Sequence, residues 1–156
     1  MIYVDADACP VKDEVLRVAA RRGLKVIMVA NRWFRLESDP LVERVIVPEG
    51  LDVADDWIAE RAVSGDVVIT ADIPLAARVV AAGALALGPT GRLFTAENVG
   101  MALAVRDLGT QLREADPLSL HTGGGPRPFG PTDRSRFLQA LESAVRRAER
   151  SAAGSP

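Results

Sequence analysis

Ile2-Tyr3-Val4-Asp5-Ala6-Asp7 is an apolar run of strand-forming residues that ends on paired aspartates, and Val67-Val68-Ile69-Thr70-Ala71-Asp72 repeats the pattern further along. Short apolar runs rich in β-branched residues read as buried strands. If the two strands are parallel neighbours, Asp5 and Asp72 emerge side by side at their carboxyl ends. That edge is where open α/β sheets place their ligands.

Outward from these runs the pattern alternates strand and helix. The first helix is expected from about Pro10 to Arg22, closed by Gly23, with Pro10 in a favoured first-turn position and Asp13 and Glu14 complementing the helix dipole. Strands are expected at Lys25–Ala30, Arg44–Val47, Asp66–Thr70 and, weakly, Ala84–Leu87. Helices are expected at Val53–Val63, Pro74–Ala82 and Thr95–Arg113, the last with Thr95 as N-cap. Such alternation predicts a three-layer α/β/α fold with a mostly parallel central sheet. The Gly- and Pro-rich stretch from Pro117 to Pro131 reads as a loop. One short helix follows it, with Phe137, Leu141 and Val145 spaced to dock on the body.

A length of 156 residues suits one domain, expected over residues 1–150 with a frayed tail at 151–156. Only 4% of the residues are aromatic, so the core must be built of Val, Ala, Leu and Ile. The net charge of −2 excludes a polybasic coat, although residues 120–156 carry a basic excess and the rest an acidic one. One cysteine excludes an intrachain disulfide, and no apolar stretch approaches the roughly 20 residues that span a bilayer. The N-terminus enters a strand pattern at Ile2, which leaves no room for a signal peptide. A cytoplasmic protein is expected, with no membrane partner.

Five aspartates carry the functional reading. Asp5 and Asp7 follow the first strand, Asp72 follows the later one, and Asp55 and Asp56 share a helix face with Asp52. Each has a purely structural alternative. Asp52, Asp72 and Asp7 could each cap a helix, and acidic residues in a first turn gain about 0.3–1 kcal/mol from the dipole. Capping needs one side chain per helix, however, and pairs stand at two of the three places. Converging carboxylates repel unless a cation lies between them, and hard oxygen donors favour Mg²⁺ or Mn²⁺.

The stretches Tyr3-Val4-Asp5-Ala6-Asp7-Ala8-Cys9-Pro10-Val11-Lys12, Ala54-Asp55-Asp56-Trp57-Ile58, Thr70-Ala71-Asp72-Ile73-Pro74-Leu75-Ala76 and Gly123-Gly124-Gly125-Pro126 resemble those of the bacterial YaiI/YqxD family. This resemblance extends over nearly the whole chain. It implies a PIN-like fold related to metal-dependent ribonucleases and flap-type nucleases. The broader PIN pattern matches Asp5 after the first strand, Asp55 before Ile58 and Ala59, and Thr70 with Asp72. The additional glutamate that many such nucleases carry on an earlier helix has no evident counterpart, and Asp7 and Asp56 are candidates to replace it. The implied activity is phosphodiester hydrolysis, with RNA as the expected partner, Mg²⁺ or Mn²⁺ held by Asp5, Asp55 and Asp72, and Asp7 and Asp56 assisting.

Substrate contacts are expected from Lys12, Asn31, Arg32, Thr70 and Arg127. The loop Asn31-Arg32-Trp33-Phe34-Arg35 interleaves basic and aromatic groups, which can stack bases and hold phosphates. Its bland alternative is a loop anchored to the core by Trp33 and Phe34. Gly123–Gly125 could offer backbone N–H groups to a phosphate, with Arg127, Arg134 and Arg136 as a rim. Cys9 reads as a small half-buried residue and His121 as structural. Two rival functions stay open. A HAD-type phosphatase would use Asp5 as nucleophile and Asp7 as acid, although Asp55-Asp56 precede Thr70 and Ala8-Cys9 stand where Gly-Thr is expected. A non-catalytic RNA- or protein-binding module would use its metal only for structure.

Overall fold

In the computed structural model, which describes residues 1–36, 38–50, 52–104 and 129–153, every apolar run singled out above is a strand. The strands are β1 (Ile2–Asp5), β2 (Val26–Ala30), β3 (Val42–Ile46), β4 (Val67–Ile69), β5 (Leu85–Leu87) and β6 (Leu93–Phe94). They form one sheet in the order β3-β2-β1-β4-β5-β6. All neighbours are parallel except β5 and β6.

Alternation along the strands builds two cores. Ile2, Val4, Val26, Met28, Val67 and Ile69 face one side, where they meet Val11, Val15 and Val18 of the first helix segment and Phe137, Leu141 and Val145 of the last. Tyr3, Ile27, Val29 and Val68 face the other side, against Ile58, Leu75, Val79 and Val99. Helices α1 (Lys12–Arg22) and α5 (Pro131–Ala153) therefore cover one face. Helices α2 (Val53–Arg61), α3 (Ile73–Ala81) and α4 (helical over residues 96–104) cover the other. The fold is the three-layer α/β/α arrangement with a mostly parallel sheet. No helix among the described residues is long and apolar enough to cross a membrane.

The differences from the sequence reading have local causes. Helix α1 starts at Lys12 rather than Pro10 because Ala6–Ala8 form a 3-10 turn and the chain re-extends at Cys9 before turning. Strand β3 begins at Val42, and Val47 beyond its end still donates to the Ala30 carbonyl at 2.8 Å. Strand β6 escaped detection because two residues carry no periodicity. The Gly88–Gly91 turn makes it, with Gly88 N–H donating to Arg92 O at 2.8 Å. Gly91 has φ +93°, and a Cβ there would lie 2.9 Å from the Arg136 carbonyl of α5, so only glycine lets that turn and helix meet. Thr95 caps α4 reciprocally with Asn98: Thr95 N–H donates to Asn98 Oδ1 at 2.7 Å and Asn98 N–H to Thr95 Oγ1 at 3.1 Å. The expected continuation of that helix to Arg113, the loop around Gly123–Gly125, His121 and Arg127 lie outside the described residues.

Helix α5, at 23 residues, is far longer than the short helix expected. Its charged face is pinned to α1. Glu142 pairs with Arg21 and with Arg22 Nε, the latter at 2.9 Å. Arg134 Nη1 donates to Glu14 Oε1 and to the Pro10 carbonyl, both at 2.9 Å. Arg134, expected on a phosphate rim, is thus an anchor between helices. Its apolar face buries Phe137 completely. Truncating Phe137 to Ala leaves a cavity beneath α1 and the sheet and should cost about 3–5 kcal/mol, read as a lower urea midpoint with an unchanged slope. A midpoint equal to wild type would mean that α5 does not seal this core.

Candidate functional site

The register of β1 against β4 sets Val4 opposite Ile69, so the residues that follow each strand leave the sheet together. Asp5 ends β1, and Thr70 and Asp72 follow β4. Thr70 is buried at 2% exposure, with its N–H donating to the Leu87 carbonyl of β5 at 3.1 Å. Its hydroxyl donates to Asp5 Oδ2 at 3.0 Å and accepts from the Asp72 N–H at 3.0 Å. One side chain thereby fixes both neighbouring segments. Asp72 is also the N-cap of α3: its Oδ1 accepts from Leu75 N–H at 2.8 Å. The capping alternative for Asp72 is correct, and its second oxygen is left to other work.

Asp55 enters from the first turn of α2, on a third element. Burial pushes its carboxyl up to about 6, the negative charges of Asp72, Asp5 and Asp52 push it the same way, and Arg78 opposes them. Burial likewise raises Asp5, the Thr70 hydrogen bond lowers it, and Asp72 and Asp7 raise it again. Asp5, Asp55 and Asp72 therefore share one electrostatic field at the carboxyl edge of the sheet. A cavity of about 260 Å³ opens there, lined by Asp5, Cys9, Thr70, Asp72, Ile69, Ala71 and Pro89. Pro89, from the turn before β6, was invisible in sequence because its strand was.

The other two aspartates have partners elsewhere. The Asp7 carboxylate is exposed and accepts the Asn31 N–H at 2.9 and 3.2 Å, tying the 3-10 turn to the end of β2 rather than capping α1. Asp56 is exposed and pairs with Arg78 Nη1 at 2.6 Å, which links α2 to α3. Asp52 is the N-cap of α2 by position, but it stands at φ 64° and makes no side-chain cap bond. Cys9 is half-buried in the cavity wall, and burial raises its thiol despite the nearby helix start. That environment disfavours a nucleophilic thiolate.

Among the expected substrate contacts, Lys12 lies over the Phe34 ring with Nζ 4.9 Å from its centroid. Asn31 serves Asp7 through its backbone, and Arg32 is exposed. Sequence reasoning missed Arg44 and Arg78, because each meets its partner only across the fold. Arg44 reaches from β3 to Trp33, and Arg78 from α3 to Asp56.

The donor set suits a hard divalent cation in kind: three carboxylates from three elements, with Asp5 and Asp55 raised first by burial and then by neighbouring negative charge. The spacing does not match it as the side chains stand. Among the described residues no three Asp, Glu, His or Cys groups lie close enough together to hold one ion. Asp72 and Asp5 each spend an oxygen on Leu75 and Thr70.

The chain belongs to the YaiI/YqxD family: the family model described as an uncharacterized bacterial group of that name matches residues 3–147. It is 57% identical over 150 residues to a UPF0178 protein of Caulobacter sp. strain K31, covering 96% of this chain and 97% of that protein. It is 58% identical over 149 residues to a UPF0178 protein of Rhodopseudomonas palustris strain TIE-1, covering 96% and 92%. No solved structure gives a significant match.

Two outcomes follow from the site's electrostatics. Because folding raises the Asp55 pKa from 3.8 to about 6, the folded state binds that proton more tightly than the unfolded chain. Its contribution to stability is full below pH 4 and is lost as pH rises through about 6. Asp55→Asn should flatten this part of the stability-against-pH curve and melt above wild type at pH 7.5. An unchanged slope between pH 4 and 6 would exclude the shift. Replacing Thr70 by Val leaves the Asp5 carboxylate without its donor, and carboxyl NMR should find Asp5 titrating higher than in wild type.

Proposed function

For this member of the YaiI/YqxD family we propose metal-dependent hydrolysis of phosphodiester bonds, with RNA as substrate and Mg²⁺ or Mn²⁺ as the ion. The observation that carries the reading is the shared field of Asp5, Asp55 and Asp72 beside a cavity at the carboxyl edge of β1 and β4. A PIN-like relationship is part of the same proposal, supported by a parallel sheet with helices on both faces. So is a cytoplasmic location, which the single cysteine favours.

Asp5, Asp55 and Asp72 would hold the ion once their side chains turn toward it, because as they stand no three carboxylates among the described residues lie close enough together. What such an ion supplies when bound is water activation near neutral pH and neutralisation of charge on the scissile phosphate. The chain's own groups do the rest. Thr70 fixes the direction of the Asp5 carboxylate and the start of α3. Asp55, with its carboxyl near 6 in the absence of the ion, would release its proton on taking the ion up. Asp7, which a HAD-type phosphatase needs as a free acid, is committed to the Asn31 N–H, and this favours the nuclease reading over the phosphatase one.

The test is cleavage of a labelled single-stranded RNA by the purified protein in Mn²⁺ and in EDTA. Cleavage should need the ion and should fall at least about a hundredfold in Asp5→Asn and Asp72→Asn. Thr70→Ala should lose roughly ten- to a hundredfold, since it only positions Asp5. Cleavage that survives Asp5→Asn would contradict the proposal. Hydrolysis of a phosphomonoester with phosphate trapped on Asp5 would transfer the site to the phosphatase class.

A further inference from the structure

Trp33 stands 68% exposed in a chain with only two tryptophans and 4% aromatic residues. Exposing an indole forgoes burial worth about 2–3 kcal/mol, so a loop anchor would be expected to turn inward. Phe34, its neighbour, does: it is half-buried and packs against the core cluster beneath α1. Trp33 is instead backed on one face. The Arg44 guanidinium of β3 lies 4.8 Å from the Trp33 ring centroid and 5.9 Å from that of Phe34, and its Nη1 donates to the Phe34 carbonyl at 2.7 Å. That hydrogen bond holds the guanidinium against the loop, so the ring and the cation form one fixed unit.

The place of this unit matters. β2 runs parallel to β1 with Asp5 opposite Val29, so Trp33 leaves the sheet three residues after β2 at the same carboxyl edge as Asp5. The Asp7 carboxylate grips the Asn31 N–H, which clamps the root of the loop to the turn that follows Asp5. Arg32 and Arg35, which flank Trp33 and Phe34 in the chain, are both exposed, and Lys12 stacks over Phe34. The adjoining groove, about 500 Å³, adds Arg17 beside Arg35 and carries Asp13 and Asp39 on its walls. On a chain of net charge −2 this segment and its neighbours are locally rich in cations beside an exposed indole.

We propose that Trp33, backed by Arg44, is a stacking platform for a base of single-stranded nucleic acid, leading the strand to the carboxylate edge. An exposed indole offers a π-face to any unpaired base, and cations near it can hold the phosphates of a strand. A duplex hides its base faces and cannot use the platform. The proposal deepens the nuclease reading by naming an unpaired strand as the ligand, but binding to the platform needs no divalent ion. The two therefore fail separately.

The test is anisotropy titration of a short fluorescent single-stranded RNA, with EDTA present, against a duplex of the same sequence. Trp33→Ala should weaken single-strand binding about tenfold, and Trp33→Phe should restore most of it. Arg44→Gln should weaken binding a few-fold and reduce the salt dependence. Duplex binding should not respond to Trp33→Ala. Single-strand binding by Trp33→Ala equal to wild type, or no oligonucleotide binding by wild type, would overturn the platform. Binding retained in Asp5→Asn without cleavage supports the platform, and absence of cleavage by wild type with binding intact refutes only the nuclease reading.

Discussion

The hydroxyl of Thr70 is the point on which the site depends. It is buried between two parallel strands and bonded on one side to a carboxylate and on the other to a backbone amide. It sets where Asp5 points and where α3 begins. α3 in turn fixes Asp72 as its cap and holds Arg78, which reaches α2 and the segment carrying Asp55. A single buried donor thereby organises negative charge from three elements at one edge. As they stand no three of these carboxylates lie close enough to hold one ion, yet the charges of Asp72 and Asp5 reach Asp55 and that of Asp72 reaches Asp5.

That arrangement is costly unless used. A half-buried Asp55 held near 6 means that folding works against a charge at neutral pH. Proteins retain such groups where function needs a proton exchanged or a cation attracted. The bonds of Asp7 and Asp56 point the other way. Each is spent on a structural link, to the end of β2 and to α3 respectively. Of the five aspartates of the sequence, Asp7 and Asp56 thus hold elements in place, although the charge of Asp7 also raises Asp5.

The fold was legible because its signals are local. Apolar β-branched runs mark β1, β2 and β4, and Gly23 in the left-handed region closes α1. The edge position of Asp5 and Asp72 followed from parallel pairing alone. What sequence could not give is non-local. Arg44 meets Trp33 only because β3 pairs with β2, and Arg134 meets Glu14 only because α5 returns to α1. The roles of Asp7 and Asp56 depend on partners 24 and 22 residues away. Asp52 reads as a capping residue, but its left-handed backbone turns the side chain away from that task.

The proposed cation site requires Asp5, Asp55 and Asp72 to act on one ion. Carboxyl NMR titration of Asp55, with and without saturating Mg²⁺, tests it without recourse to any substrate. A bound ion competes with the proton, so the Asp55 pKa should fall from about 6 to well below it, and the fall should vanish in Asp5→Asn. Titration curves for Asp55 that superimpose with and without Mg²⁺ would rule out a cation held at that edge.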